Sequence, residues 1–137
     1  MNVRARLDSV TIITVPKIDG DDGFLTVYEQ GDAIPFDIVR VFVVGADGGQ
    51  QRGRHAHKEC TQLMVCLNGA CEVTCDDGHS KSTFYLESPD KGLMVPPSIW
   101  SEQTYKNENT LLMVLCDRPF DENDYIRDYN AFIKWKK

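Results

Sequence analysis

Asn68-Gly69, set between two short runs rich in β-branched and aliphatic residues, narrows more than any other feature what this chain can fold into. The runs are 61–67 (Thr-Gln-Leu-Met-Val-Cys-Leu) and 70–75 (Ala-Cys-Glu-Val-Thr-Cys). A two-residue type I′ turn needs positive φ at both central positions, which Asn and Gly adopt at least cost, so the spacing predicts a hairpin. Asp77-Gly78 predicts a second turn of the same kind, ahead of a run at 82–86. Residues 10–15, 24–29, 38–44, 92–95, 102–105 and 111–116 carry similar β-forming composition. Short strands at regular spacing with no helical pattern between them specify a sandwich or barrel.

The period changes in the tail. From Asp121, apolar or aromatic residues fall at Tyr125, Ile126, Tyr129, Phe132 and Ile133, the stripe of an amphipathic helix. Asp121 is placed to cap it, Pro119 breaks the chain before it, and Lys134, Lys136 and Lys137 suit its negative end. The expected organisation is one all-β domain over 1–137. It has N-terminal strands at about 10–30, a barrel at about 31–118 and a C-terminal helix at about 121–136.

Charge and cysteine usage then exclude several function classes. Fifteen Lys+Arg against 21 Asp+Glu gives 15 − 21 = −6, with a pI near 5.0. So acidic a chain is a poor general binder of nucleic acid or anionic membrane. No apolar run approaches the roughly 18 residues of a membrane helix, and Asp8 interrupts any secretory leader. Cys60, Cys66, Cys71, Cys75 and Cys116 are an odd number, which suits reduced, mostly buried thiols in the cytoplasm. Cys71 and Cys75 share a strand face, a placement that fits core packing as well as ligation.

Two histidines lie two apart in Arg52-Gly53-Arg54-His55-Ala56-His57-Lys58. In a strand they project to one side, the interior if the strand belongs to a barrel. Arg52, Arg54 and Lys58 flank them, and Arg40 lies on a preceding strand. Cations beside groups that titrate near neutrality point to an anionic substrate, and guanidinium matches phosphate oxygens bidentately. Trp100, Tyr105 and Phe42 could stack on a base or sugar, or equally fill the core.

His-x-His, a following hairpin strand with Gly69, and a later Gly92-…-Pro96-Pro97-…-Trp100 segment resemble the two-part cupin signature, which implies a jelly-roll β-barrel. Metal-binding cupins add a Glu and a third His. Gln62 and Ser101 stand in those places, so two of four ligands are neutral groups and no metal is expected. Imidazoles free of metal can move protons.

Four ordered motifs carry a closer resemblance. These are Pro35-Phe36-Asp37-Ile38-x-Arg40-Val41-Phe42, Arg52-Gly53-x-His55-Ala56-His57-Lys58, Lys91-Gly92-Leu93-x-Val95-Pro96-Pro97-x-x-Trp100 and Asp124-Tyr125-Ile126-Arg127-Asp128-Tyr129. Together they are similar to the dTDP-sugar 3,4-ketoisomerases, small WxcM-like cupins. The resemblance implies a cytoplasmic, homodimeric, metal- and cofactor-free isomerase. It would turn dTDP-4-keto-6-deoxyglucose into the 3-keto-6-deoxyhexose during bacterial deoxysugar biosynthesis, as for lipopolysaccharide or O-antigen sugars. His55 and His57 would be catalytic. Arg40, Arg52, Lys58, Gln62, Trp100, Ser101 and Tyr105 would hold substrate. Two positions depart from the pattern: Ser101 where relatives often carry His or Arg, and Asp22 where they tend to carry Arg or Tyr. Both bear on which face of C4 is reprotonated.

A ketone at C4 acidifies the C3 hydrogen by delocalising the carbanion into an enolate. Two proton carriers on one face suit the enediol(ate) exchange that follows, His57 read as the base at carbon and His55 as the oxygen-proton shuttle. The competing readings are a non-catalytic nucleotide-sugar-binding cupin and a metal-dependent cupin enzyme.

Overall fold

The strands read from composition are there, but their pairing is not the one neighbouring runs suggest. The computed structural model describes residues 4–137. An N-terminal strand β1 (Thr11–Thr14) is followed by β2 (Lys17–Gly20) and β3 (Gly23–Thr26), which pair only with each other. Next come β4 (Arg40–Ala46), β5 (Gln51–His57), β6 (Gln62–Asn68), β7 (Cys71–Asp76) and β8 (Lys81–Leu86). They are followed by β9 (Lys91–Val95), β10 (Trp100–Tyr105), β11 (Thr110–Cys116), the short β12 (Tyr125–Ile126) and α1 (Tyr129–Lys136). One five-stranded sheet runs β1-β9-β6-β11-β4, the other β12-β5-β10-β7-β8, and every pairing is antiparallel. The two sheets face each other as a jelly roll, with Met64, Cys66, Val73, Cys75, Leu93 and Leu112 buried between them.

Asn68-Gly69 therefore turns the chain but makes no hairpin. β6 lies in the first sheet and β7 in the second, so the turn is a corner between sheets. Only Gly69, at φ 78°, takes positive φ there, and a Cβ on it would sit 2.8 Å from the Thr110 hydroxyl. Asp77-Gly78 does close a hairpin, β7–β8, again with positive φ at the glycine alone. The Asp77 carboxylate accepts from the His79 and Ser80 amides at 2.8 Å, an Asx turn in place of the expected type I′.

β6 shows why its sequence is nearly continuously apolar. Met64 and Cys66 face the inter-sheet core, while Leu63 and Val65 pack outward under Ile34, Phe36 and Ile38 of the long segment before β4. A strand covered on both faces has no polar side to display. All five cysteines are buried free thiols, as expected.

The helix begins eight residues later than the periodicity suggests. Asp121 caps only a 3₁₀ turn at Glu122–Asp124, accepting from the Asn123 amide at 3.0 Å. Tyr125 and Ile126 are extended and pair with His57 and Ala56. Asp128 is the true cap, accepting from the Ala131 amide at 2.9 Å. Apolar neighbours at 125 and 126 satisfy strand alternation as readily as a helical stripe. Phe132, fully buried, locks α1 over Ala56, Trp100 and Ile126 on the outer face of the second sheet. No helix among the described residues is long and apolar enough to cross a membrane.

Phe132 tests this docking. Phe132→Ala is expected to cost about 3–5 kcal/mol in a denaturant titration. A loss inside the roughly 0.5 kcal/mol range of surface substitutions would mean that α1 is not packed on the sheet.

Candidate active site

A cavity of about 290 Å³ opens into the barrel between the two sheets. β5 supplies Arg52 and His55, β10 supplies Gln103 and Tyr105, β4 and β6 supply Arg40 and Gln62, and Tyr125 and Arg127 close it from β12 and the residue after it. Arg52 and His55 are three apart and would face opposite ways on a regular strand. The register between β10 and β5 shifts between Ser101 and Glu102, so that His55 and then Gly53 are the successive partners and Arg54 is left over. Gly53 (φ 86°) and Arg54 (φ 61°) absorb this bulge. Glycine suits 53, because its φ of 86° strains any other residue and a Cβ there would run into the Gln103 amide. Arg54 is turned out to pair with Glu102 at 3.5 Å, and Arg52 is returned to the cavity wall.

The two imidazoles are adjacent, with centroids 5.1 Å apart and planes near perpendicular. Tyr125 lies against both, at 4.9 Å from His55 and 4.3 Å from His57. His57 is almost sealed, and its Nδ1 lies 2.8 Å from Asp124 Oδ2. The other Asp124 oxygen accepts from the Glu59 amide at 2.6 Å, and the Asp124 carbonyl accepts from the Lys58 amide at 2.8 Å. Burial pushes the His57 pKa down, and the Asp124 hydrogen bond and charge only partly oppose it. The ring is thus neutral, donates Nδ1–H to the carboxylate, and keeps a lone pair on Nε2. Among the described residues that Nε2 has no partner, nor has His55 Nδ1 or the Tyr105 hydroxyl. His55, on the cavity wall, is lowered from 6.5 to about 4 by burial first and by neighbouring His57 second. Burial and nearby buried thiols raise the Tyr105 hydroxyl to about 12, which leaves it a donor.

Arg40 and Arg52 form no salt bridge among the described residues; Arg40 stacks on Phe42 and Phe120 at 4.6 and 5.2 Å. Arg127 is held by Glu122 at 2.8 and 3.0 Å and lies over Tyr125. Three guanidinium groups around one opening in a chain of charge −6 make a local anion site.

Of the expected site residues, His55, Arg40, Arg52, Gln62 and Tyr105 meet at this cavity. Four do not line it, His57 among them, which is buried beside His55. Trp100 points out of the barrel against Tyr129 and Phe132, because alternation on β10 turns 101, 103 and 105 inward and 100 outward. Lys58 lies on a separate groove with Asp128, Ala131 and Trp135, since it follows His57 and projects oppositely. Ser101 does point inward, but it is buried and accepts from Gln103 Nε2 at 3.1 Å. Asp124, Tyr125, Arg127 and Gln103 received no roles from the sequence. Tyr125 and Arg127 are two apart like the histidines, a spacing that signals a shared strand face.

The residues at the four cupin ligand positions do not fit a divalent ion. Gln62 turns its amide Nε2 to the Cys116 sulfur at 3.7 Å, Ser101 is engaged by Gln103, and His57 Nδ1 by Asp124.

The fold and the site define a jelly-roll cupin whose barrel holds two adjacent neutral imidazoles ringed by arginines. The family model described as FdtA, WxcM-like, C-terminal matches residues 8–137, and the chain belongs to that family. It is 41% identical over 125 residues, 90% of each chain, to a TDP-4-oxo-6-deoxy-alpha-D-glucose-3,4-oxoisomerase of Aneurinibacillus thermoaerophilus. It superimposes with a TM-score of 0.91 on the sugar 3,4-ketoisomerase QdtA of Thermoanaerobacterium thermosaccharolyticum in complex with TDP, at 34% identity and 96% coverage of both chains. The TDP-fucose-3,4-ketoisomerase WlaRA of Campylobacter jejuni gives 0.85 at 32% identity, covering 93% of this chain and 96% of its own.

The lowered His55 pKa predicts a pH dependence of stability. Between pH 6.5 and about 4 the unfolded chain binds a proton at residue 55 and the folded chain does not. Stability from this group is therefore full above 6.5 and is lost as pH falls toward 4, on the order of 2–3 kcal/mol. Urea midpoints taken from pH 7 to 4.5 are expected to fall in the wild type and to fall less in His55→Gln. Parallel curves would refute the assignment.

Proposed function

We propose that this protein is a 3,4-ketoisomerase that converts a dTDP-4-keto-6-deoxyhexose to its 3-keto isomer by proton transfer through an enediol(ate). The observation that carries the reading is a neutral imidazole on the wall of an arginine-ringed cavity in a member of this family. Arg40, Arg52 and Arg127 bind the diphosphate and sugar oxygens, and the barrel holds the hexose over the histidines.

The division of labour is the reverse of that expected from sequence. His55 lines the cavity with Nδ1 covered, which leaves Nε2 to meet the substrate, and it takes the C3 proton. His57 lies behind it, fixed in one tautomer by Asp124, and exchanges the oxygen protons through its orphaned Nε2 once a sugar hydroxyl completes it. Loss of the C3 proton gives the enediolate. Transfer of the O3 proton to O4, with reprotonation at C4, gives the 3-ketone, so atoms and electrons balance without an external oxidant.

Five buried free thiols suit a reducing cytoplasm, where nucleotide-activated sugars are made. A homodimer is supported by two uncovered apolar surfaces. The β2–β3 hairpin pairs with no other strand and exposes Ile18, Phe24 and Leu25, and a lone hairpin is marginal in water. β4 ends its sheet and exposes Val41 and Val43.

Deuterium incorporation in D₂O, followed by NMR, tests the chemistry. His55→Asn is expected to abolish ring-carbon exchange and to lower turnover by about 10²-fold or more, with affinity for the nucleotide sugar nearly unchanged. His57→Asn is expected to lower turnover while slow exchange at C3 persists. Full exchange in His55→Asn would remove it as the base, and undiminished turnover in both variants would defeat the isomerase reading. Sedimentation at micromolar concentration tests the assembly: wild type should run as a dimer and Phe24→Asp as a monomer. A wild-type monomer would refute the dimer.

A further inference from the structure

We propose that His57, Cys60 and Asp124 form an inhibitory binding site for zinc or a divalent ion of similar softness, in which His57 is the one residue shared with the cupin ligand positions. One donor atom from each of the three residues lies within 4.8 Å of the others, and all three side chains are buried. Tetrahedral zinc holds nitrogen, oxygen and sulfur at about 2.0–2.3 Å, so its donors lie roughly 3.3–3.8 Å apart. The cluster thus needs to contract by only about an ångström to meet zinc bond lengths.

His57 Nε2 is buried without a partner among the described residues, so it is free to take the ring proton when Nδ1 ligates an ion. Cys116, also buried, is the neighbour that most raises the Cys60 thiol pKa, so a second sulfur lies beside the cluster. A donor set of imidazole, thiolate and carboxylate suits zinc and disfavours magnesium and calcium, which take oxygen. The grouping has no sequence motif: the β5–β12 pairing brings in Asp124, and the β6–β11 pairing brings in Cys116.

Binding converts the Cys60 thiol to a thiolate, which releases one proton to solvent, and with Nδ1 on the ion the His57 proton moves to Nε2, so the ring stays neutral. Asp124 then holds the ion and no longer orients His57. The inhibitory consequence rests on the isomerase reading; the binding does not.

Cobalt(II) titration of the intact protein under reducing, anaerobic conditions tests the site by absorption. Wild type is expected to develop a near-ultraviolet thiolate-to-cobalt band that saturates at one ion per chain, and Cys60→Ala is expected to lack it. Zinc should inhibit wild-type turnover, with half-inhibition shifted upward by about tenfold or more in Cys60→Ala, whose basal turnover is unchanged. Chelation should leave wild-type turnover unchanged or raise it. A wild-type spectrum with no thiolate band overturns the proposal whether or not the variant folds or the protein is an isomerase. So does a band that survives Cys60→Ala, or equal zinc inhibition of the two proteins. Should Cys60→Ala not fold, Cys60→Ser replaces it with the same expectations.

Discussion

The hydrogen bond between His57 and Asp124 is the contact on which the rest of the site depends. It joins a barrel strand to the segment that leads into α1, across 67 residues of sequence. Asp124 has every acceptor engaged: one carboxylate oxygen on His57, the other on the Glu59 amide, and the carbonyl on the Lys58 amide. A carboxylate held by two donors in a buried setting stays where its neighbours need it. Through it the chain end is threaded along β5 so that Tyr125 covers both imidazoles and Arg127 reaches the cavity mouth. Removing the carboxylate would free the tautomer of His57 and untie the roof of the site together.

Local signals and non-local ones differ in how far they could be read. Nine strand runs were legible because β-branched composition and alternation are properties of the segment itself. Which strand each run pairs with is not local. Asn68-Gly69 correctly marks a reversal, yet the strands it joins lie in opposite sheets, since a jelly roll turns corners with the same residues that close hairpins. β2 escaped notice because Lys17-Ile18-Asp19-Gly20 has no strand composition and is extended only by pairing with β3. The late start of α1 has the same origin, as the β5 edge captures Tyr125 and Ile126 from a sequence that would also satisfy a helix.

The site was legible to a similar depth. His55, Arg40, Arg52, Gln62 and Tyr105 could be gathered from strand parity and residue type. Arg52 arrived on the correct wall for a reason parity does not contain, since a bulge at Gly53-Arg54 restored it. Trp100 shows the opposite error. An aromatic beside a functional segment looks like a stacking platform, but its parity on β10 sends it under α1, where its indole donates to Glu102 at 3.1 Å. Asp124 stood inside a motif but nothing local marked its role, since it is one acid among 21 acidic residues and meets His57 only through the β5–β12 pairing.

A base whose pKa is about 4 would be a weak proton acceptor if the cavity stayed as it is. In the proposed reaction the substrate changes that. Burial, the leading cause of the depression, acts on the charged form alone, and the arginines around the cavity add to it while no anion is present. A diphosphate bound by those arginines neutralises their field at the imidazoles. The negative charge that develops on the sugar oxygens in the enediolate then lies directly against them. Both changes favour the imidazolium, so the base strengthens when the proton has to move. In metal cupins an ion stabilises charge on the substrate throughout. With Gln62 and Ser101 in the ligand positions, the proposed reaction gives that stabilisation to the arginines and to the protonated imidazole, which carries its charge only while the intermediate lasts.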